Sequence, residues 1–165
     1  MHKKKVLPRL KTGNCRLFIW VLPAALAVMI FLFSAQPGDE SAALSNGILY
    51  QIYRVLAVVR PSLDDQQFLE AMSVVIRKAA HITEYLLLYL SFFLSWRITG
   101  FGRLLSAPVS LLCTFGYAAS DEFHQLFVSG RNGCFTDVLI DVSGGALVCL
   151  FLLCCCRMRD ADAAP

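Results

Sequence analysis

The chain has 165 residues, of which 57% are hydrophobic and 16% are charged, and its formal net charge is +3. With a mean hydropathy of +0.60, this composition excludes an ordinary soluble domain, in which about 25% of residues are charged. The sequence contains no nucleotide-binding glycine motif and no basic nucleic-acid patch. These features indicate a membrane protein.

The chain begins with a basic tail, residues 1–16, that contains lysine and arginine but no acidic residue. An uncharged apolar run follows over residues 17–35, and about 20 helical residues are enough to cross a bilayer core. The alternative is a cleaved signal peptide. However, the run exceeds the usual 7–15 apolar residues, and Phe33 stands where a small residue would precede cleavage after Ala35. We therefore predict a retained first span.

Residues 41–78 have the pattern of one or two amphipathic helices. Apolar residues recur every three to four positions from Leu44 to Val59, as they do on one face of a helix. Pro61 breaks this pattern, and Ser62 with Asp65 three residues later is typical of a capping box that begins a second helix. Helices of this kind can lie at the membrane interface or cover a bundle.

Three further apolar stretches are long enough to be spans: residues 79–96, 104–120 and 138–156. The predicted fold class is all-α, a four-helix transmembrane bundle with the amphipathic helices in its first extracytoplasmic loop. The membrane domain would cover residues 17–156, with a short tail over 157–165. Lysine and arginine are enriched in cytoplasmic loops, and four spans place the basic tail on the same side as Arg97 and Arg103. We therefore expect both termini to be cytoplasmic.

Polar and ionisable residues are concentrated at the outer ends of the last three predicted spans. The second span begins with a group that spacings of three and four place on adjoining parts of one helical face: Arg77, Lys78, His81, Glu84 and Tyr85. Asp137 and Asp141 share a face of the fourth span. A charged side chain deep in a membrane helix costs about 2.5–3.5 kcal/mol on insertion scales, so such groups normally face a bundle interior or a water-filled cavity.

We predict that these helix ends enclose one outward-facing polar cavity. The third span and the following loop would add Asp121, Glu122, His124, Gln125 and Arg131. The carboxylates outnumber the fixed positive charges, so the cavity is acidic unless carboxylates are protonated or a cation binds. The polar faces of the second and fourth spans are expected to meet, with Arg77 or Arg131 compensating at least one of the aspartates.

Three segments resemble, in order, the motifs of the VanZ-like family: FSAQPGDES at residues 33–41, RKAAHITEY at 77–85, and SDEFHQLFVSGRNGCFTDVLID at 120–141. The resemblance implies a small multi-pass protein of the bacterial cell membrane. The family is named for a member that lowers susceptibility to the glycopeptide antibiotic teicoplanin. The resemblance of this chain to the family extends from the end of the first predicted span into the fourth.

The matching positions imply a set of ligand-binding residues: Gln36, Arg77, Lys78, His81, Glu84, Tyr85, Asp121, Glu122, His124, Gln125, Arg131, Asp137 and Asp141. Gly130 matches the third motif as well. Two positions depart from the family pattern. Ser129 stands where proline is usual, and Ile82 stands where phenylalanine is common. Every ionisable motif residue is present.

Three functions are compatible with such a site. A non-enzymatic protein of the cell envelope would bind an anionic lipid or a lipid-linked wall precursor, with Arg77, Lys78 and Arg131 contacting phosphate. An intramembrane enzyme would use histidines and carboxylates as acid and base or as ligands of a divalent metal, and its candidate catalytic residues are His81, Glu84, Asp121, Glu122 and His124. A proton-coupled transporter is the third.

The binding protein is the preferred prediction. The spacing matches neither HExxH nor a cysteine-histidine zinc motif nor a Ser-His-Asp arrangement. Polar groups that only join membrane helices contribute about 0.6–2 kcal/mol each. One or two such groups would be enough to join the helices, and this set is much larger. The predicted partner is membrane lipid and not nucleic acid. The sequence assigns no cofactor and no metal.

Overall fold

The computed structural model describes residues 18–57 and 66–161, which form helices and, within these two segments, no strand. The helices are α1 (Val21–Ser34), α2 (Gly38–Ala57), α3 (Gln66–Thr99), α4 (Arg103–Gln125) and α5 (Phe135–Ala161). The predicted all-α fold class is confirmed. The basic N-terminal tail and the capping box at Ser62 and Asp65 lie outside the described residues.

The first two helices meet at a bend of 103°. Pro37 lies in the bend, and proline disfavours helical geometry in the residue before it while fitting the start of the helix that follows. Asp39 and Glu40 occupy the first turn of α2, where negative charge is favourable next to the exposed N–H groups. The first amphipathic helix therefore begins at Gly38, slightly earlier than predicted.

The second predicted amphipathic helix and the second predicted span are one helix, α3. Residues 66–99 contain neither glycine nor proline, so nothing in this segment interrupts the backbone hydrogen bonds. The helix ends at Gly100, whose φ of 109° is disfavoured for residues with a side chain. The polar group from Arg77 to Tyr85 therefore begins at the end of the N-terminal third of α3 and extends about two turns into its middle.

Helices α3, α4 and α5 pack against one another, α1 packs on α3 and α4, and α2 packs on α3. The larger core cluster consists of Ile30, Tyr85, Leu88, Ala118, Val138 and Val142. Two glycines allow α5 to approach α3 closely. A Cβ at Gly145 would lie 3.1 Å from the Cβ of Tyr89, and one at Gly144 would lie 3.3 Å from Ile82. The expected meeting of the second and fourth predicted spans is confirmed.

Within the described segments, one helical stretch, Phe135–Cys156, is both long enough and apolar enough to cross a membrane. The bent pair Val21–Ser34 and Gly38–Ile52 would be a second if it forms one span. The four-helix transmembrane bundle is therefore not confirmed, although the helices themselves are present.

The composition of α3 and α4 explains this difference. His81 and Glu84 lower the hydropathy of the apolar part of α3. In α4 the apolar run contains buried hydroxyl residues that each donate a hydrogen bond to a carbonyl four residues earlier: Ser106, Ser110 and Thr114. Such bonds satisfy the hydroxyls within their own helix, but these residues still reduce the mean hydropathy of α4.

Candidate functional site

A cavity of about 230 Å³ lies between the middle of α3, the C-terminal end of α4, the α4–α5 loop and the first turns of α5. Most of the residues predicted from the sequence line it: Arg77, Lys78, His81, Glu122, Gln125, Gly130, Arg131, Asp137 and Asp141. The walls also include Val74, Asn132 and Ile140, which the sequence analysis missed. Their positions could have predicted them: Asn132 follows Arg131, and Val74 and Ile140 lie one helical turn from Arg77 and Asp137.

An ion pair joins α3 to α5 at this cavity. The Nζ of Lys78 donates to Oδ1 of Asp137 at 2.5 Å, and the two side chains are 43% and 36% exposed. This hydrogen bond raises the pKa of Lys78, and the nearby charge of Asp141 adds to the effect although burial opposes it. A pair this exposed contributes about 0.2–1 kcal/mol to stability. The expectation that Arg77 or Arg131 pairs with the aspartates is wrong for Asp137, because Lys78 is the residue of α3 that reaches it.

Arg131 binds the end of α1. Its Nε donates to the carbonyl of Gln36 and its Nη2 to the carbonyl of Phe33, each at 3.0 Å. The last carbonyls of a helix have no partner within the helix, and a cation there also interacts favourably with the helix dipole. Burial lowers the pKa of Arg131, and the neighbouring positive charge of Arg77 lowers it further. Gln36 does not line the cavity, and it takes part here through its backbone carbonyl.

The bend between α1 and α2 is held against the α4–α5 loop by close backbone contact. The N–H of Gly38 donates to the carbonyl of Ser129 at 3.0 Å, and a Cβ at Gly38 would overlap the carbonyl of Gly130. Gly130 itself has a φ of 72°, which favours glycine. Ser129 takes part in this contact through its backbone carbonyl and not through its side chain.

Asp121 lies behind the cavity and joins three helices. It is 3% exposed. Its Oδ2 accepts hydrogen bonds from the hydroxyls of Ser34 and Tyr85, both at 2.9 Å, and from Nε2 of Gln125 at 3.1 Å. Asp121 and Tyr85 therefore connect α1, α3 and α4, and neither lines the cavity. Ser34 was missed by the sequence analysis, although it lies inside the first family-like motif at the end of an apolar run.

Glu122 holds the start of α5. Its Oε2 accepts a hydrogen bond from the N–H of Cys134 at 2.9 Å, just before the first helical residue, Phe135. Burial raises the pKa of Glu122; the Cys134 hydrogen bond opposes this rise, and the negative charge of Asp137 adds to it. This arrangement aligns the first two turns of α5, from which Asp137 and Asp141 border the cavity.

The two histidines occupy different places. His81 lines the cavity, and its Nδ1 is 3.8 Å from Oε2 of Glu84, too far for a hydrogen bond. The ring of His124 packs against Phe31 of α1, with 4.7 Å between ring centroids. The structure does not bring His124 or Glu84 into the cavity. Within residues 18–57 and 66–161, no three His, Cys, Asp or Glu side chains are placed to hold a metal ion.

Two buried nitrogen atoms at the cavity have no hydrogen-bond partner in the part of the chain that the structure describes. They are Nε of Arg77 and Nδ1 of His81. The guanidinium Nε always carries a proton and can only donate, whereas a histidine nitrogen donates or accepts according to its protonation. Native proteins pair nearly all of their buried polar atoms. Arg77 therefore brings to the cavity wall a buried donor whose hydrogen-bonding capacity is unused among the described residues.

Comparison with known proteins identifies the family. No curated protein and no solved structure matches the chain. The model of the VanZ/LLP1 family matches residues 18–156, which include every residue that lines the cavity. The chain therefore belongs to the VanZ/LLP1 family.

Proposed function

We propose that this protein is a component of the bacterial cell envelope whose cavity binds the phosphate of an anionic lipid or a lipid-linked wall precursor. The observation that carries the proposal is that Arg77 lines the cavity while its buried Nε has no partner among the described residues. A buried unsatisfied donor costs about 1–3 kcal/mol, and more when it is charged. A phosphate oxygen would satisfy it, and the planar guanidinium matches phosphate geometry.

The size of the cavity supports recognition of a headgroup. At about 230 Å³ it is smaller than the roughly 300–1,000 Å³ of pockets that enclose a complete drug-sized ligand. A phosphate-bearing headgroup fits such a volume, whereas acyl chains do not. The chains would remain in the bilayer beside the protein. Binding of this kind at the outer surface is our proposed basis for reduced susceptibility to teicoplanin.

We also propose that α3 and α4 lie in the membrane with α1 and α5. Large apolar side chains point away from the bundle on α4 as well as on α5: Leu112 is 70% exposed, Leu147 69% and Phe151 66%. Exposed apolar surface of this extent is typical of contact with lipid or another protein. In this arrangement both termini are cytoplasmic and the cavity opens on the extracytoplasmic side.

The proposed topology can be tested with Cys134, which is exposed in the α4–α5 loop. Hydrogen bonds with Thr136 lower the pKa of its thiol, and a larger thiolate fraction speeds labelling. In a variant whose only cysteine is Cys134, we expect a membrane-impermeant maleimide to label intact cells. A matched variant that keeps only Cys15 should be labelled after permeabilisation alone. Labelling of Cys15 in intact cells, with Cys134 protected, would contradict the outward-facing cavity.

The binding proposal predicts that Arg77→Gln weakens binding of phosphatidylglycerol by roughly tenfold or more, because one charge-assisted contact is worth about 1.5–3 kcal/mol. The measurement is a lipid titration of the purified full chain in detergent, followed by native mass spectrometry. Arg103→Gln is the matched control, since Arg103 is exposed at the opposite end of the bundle. At equal membrane abundance, cells with Arg77→Gln should be more susceptible to teicoplanin than cells with Arg103→Gln. Equal lipid binding by wild type and Arg77→Gln would contradict the proposal.

An intramembrane enzyme is the second candidate function. It is favoured by one observation, the unpartnered Nδ1 of His81 in a cavity that also contains Glu122 and Asp141. A histidine beside carboxyl groups can accept and return a proton during hydrolysis. Turnover of phosphatidylglycerol by the purified protein, abolished in His81→Gln while binding is retained, would favour this function over binding alone.

A further inference from the structure

We infer that the cavity recognises a headgroup that carries a primary ammonium group as well as a phosphate. This inference rests on the proposed function, because it takes Arg77 as the phosphate contact and adds a second contact to the same ligand. It changes the preferred headgroup from an anionic one to a zwitterionic one that carries the same phosphate. The ligand class that we infer is a lipid with a phosphoethanolamine-type headgroup. The inference follows from how the charges in the cavity are distributed and from which of them are already paired.

Positive and negative groups are contributed by different parts of the cavity wall. Arg77 comes from α3 and Arg131 from the loop, and they lie close enough for Arg77 to lower the pKa of Arg131. Glu122 comes from the end of α4 and Asp137 from the start of α5, and Asp137 in turn raises the pKa of Glu122. Arg131 and Glu122 are also near enough for each to affect the pKa of the other, so groups of both signs border one cavity. A zwitterion complements both signs, whereas a ligand with a single charge complements one.

Most of these charged groups already have partners within the protein. Asp137 accepts from Lys78, Glu122 accepts from the N–H of Cys134, and the guanidinium of Arg131 donates to two carbonyls. Pairing of this kind reduces the cost of burying a charge. It leaves these side chains less available to a ligand.

Arg77 and Asp141 are different. Asp141 is 4% exposed and lines the cavity, yet it makes no hydrogen bond or ion pair with any other residue that the structure describes. Lys78 lies near enough for the charge of Asp141 to raise the pKa of Lys78, but the ammonium group of Lys78 donates to Asp137. A buried carboxylate is strongly disfavoured without donors.

The two unpaired groups require opposite partners. Nε of Arg77 needs an acceptor, and the carboxylate of Asp141 needs a donor that preferably carries positive charge. A phosphate and a primary ammonium on one small molecule supply both. The apolar side chains of Val74 and Ile140 border the same cavity and provide a surface for the short carbon linker between the two groups. A glycerol headgroup would supply hydroxyl donors but no positive charge.

The test compares two lipids that share a phosphodiester and differ in the second group. Dihexanoyl-phosphatidylethanolamine and dihexanoyl-phosphatidylglycerol are titrated into the purified full chain, and affinity is measured by calorimetry. We expect the ethanolamine lipid to bind roughly tenfold more tightly, the effect of one charge-assisted contact. Asp141→Asn should remove this preference while binding of the glycerol lipid persists. Asp39→Asn, an exposed acidic position on α2, is the matched control and should keep it.

The outcomes separate this inference from the proposed function. If both lipids bind equally and both depend on Arg77, phosphate binding stands and the ammonium contact is overturned. If neither lipid binds, or if Arg77→Gln leaves both affinities unchanged, the proposed function itself fails. The comparison of the two lipids in the wild type needs no variant, so it remains decisive if Asp141→Asn does not fold. A preference that survives in folded Asp141→Asn would overturn the assignment to Asp141.

A final arm identifies the source of the headgroup. O-Phosphoethanolamine and sn-glycerol 3-phosphate are tested as soluble competitors of the ethanolamine lipid. We expect O-phosphoethanolamine to be the stronger competitor, because it alone carries the ammonium group; the reverse order would overturn the inference. If O-phosphoethanolamine has a lower affinity for the cavity than the ethanolamine lipid has, the ligand is a membrane lipid. If the two affinities are equal, the ligand is a soluble compound with the same headgroup chemistry.

Discussion

Replacing Asp121 with alanine is expected to lower the free energy of unfolding by about 2–4 kcal/mol, because three donors lose their acceptor inside the bundle. The hydroxyls of Ser34 and Tyr85 and the amide of Gln125 all donate to one oxygen of this carboxylate. Burying the carboxylate is itself costly, and its removal offsets part of the loss. The measurement is the melting temperature of the purified protein in detergent.

Graded variants at the same site test this explanation. Asp121→Asn keeps an acceptor oxygen and should cost less than alanine. Tyr85→Phe and Ser34→Ala each remove one donor and leave the acceptor in place, so each should cost about 1 kcal/mol. Asp39→Ala, at an exposed position of α2, is the control and should change stability by no more than about 1 kcal/mol. A melting temperature unchanged by Asp121→Ala would show that the three helices do not depend on this carboxylate.

Gly38→Ala is expected to destabilise the protein by about 1–3 kcal/mol, the usual cost of inserting a methyl group where no space exists. A Cβ there would overlap backbone atoms of Gly130, which cannot move aside as the end of a flexible side chain can. Relief requires the bend between α1 and α2 to separate from the α4–α5 loop. That movement would also pull the carbonyl of Gln36 from Arg131, so lipid binding should weaken together with stability.

Gly47 provides a matched control in the same helix. No atom lies within 4 Å of a Cβ built at this position. Gly47→Ala should therefore stabilise the protein by about 0.5–1 kcal/mol, since alanine restricts the unfolded chain and favours the helix. The two substitutions should shift the melting temperature in opposite directions. Equal shifts would contradict the close contact between Gly38 and Gly130.

Local sequence information was enough to predict the helices. The apolar runs and the glycine and proline residues between them place α1, α4 and α5 close to the predicted spans. The continuity of α3 was missed because the sequence was divided after Lys78, where the apolar run over residues 79–96 begins. A helix does not end where its polarity changes. It ends where the backbone is interrupted, and residues 66–99 contain no glycine or proline.

The candidate site was predicted less completely. Spacing alone places Asp137 and Asp141 on one face, and Gly144 and Gly145 mark that face as the one that approaches α3. Spacing does not show whether Asp121 or Glu122 points into the cavity. Neighbouring helical residues differ in direction by about 100°, so which of the two faces the cavity depends on the rotation of α4 about its axis, and a rotation of about 100° would exchange them. In the structure Glu122 lines the cavity and Asp121 lies behind it.

Local patterns of polarity and spacing were enough to predict the all-α class, the approximate helix positions, the family resemblance and the ionisable residues that line the cavity. The tertiary structure alone decided the partners: Lys78 for Asp137, the end of α1 for Arg131, and Ser34 and Tyr85 for Asp121. Lysine and arginine side chains are long and can reach several acceptors. Which acceptor each one reaches depends on the rotation and packing of whole helices, which residues distant in the chain determine together.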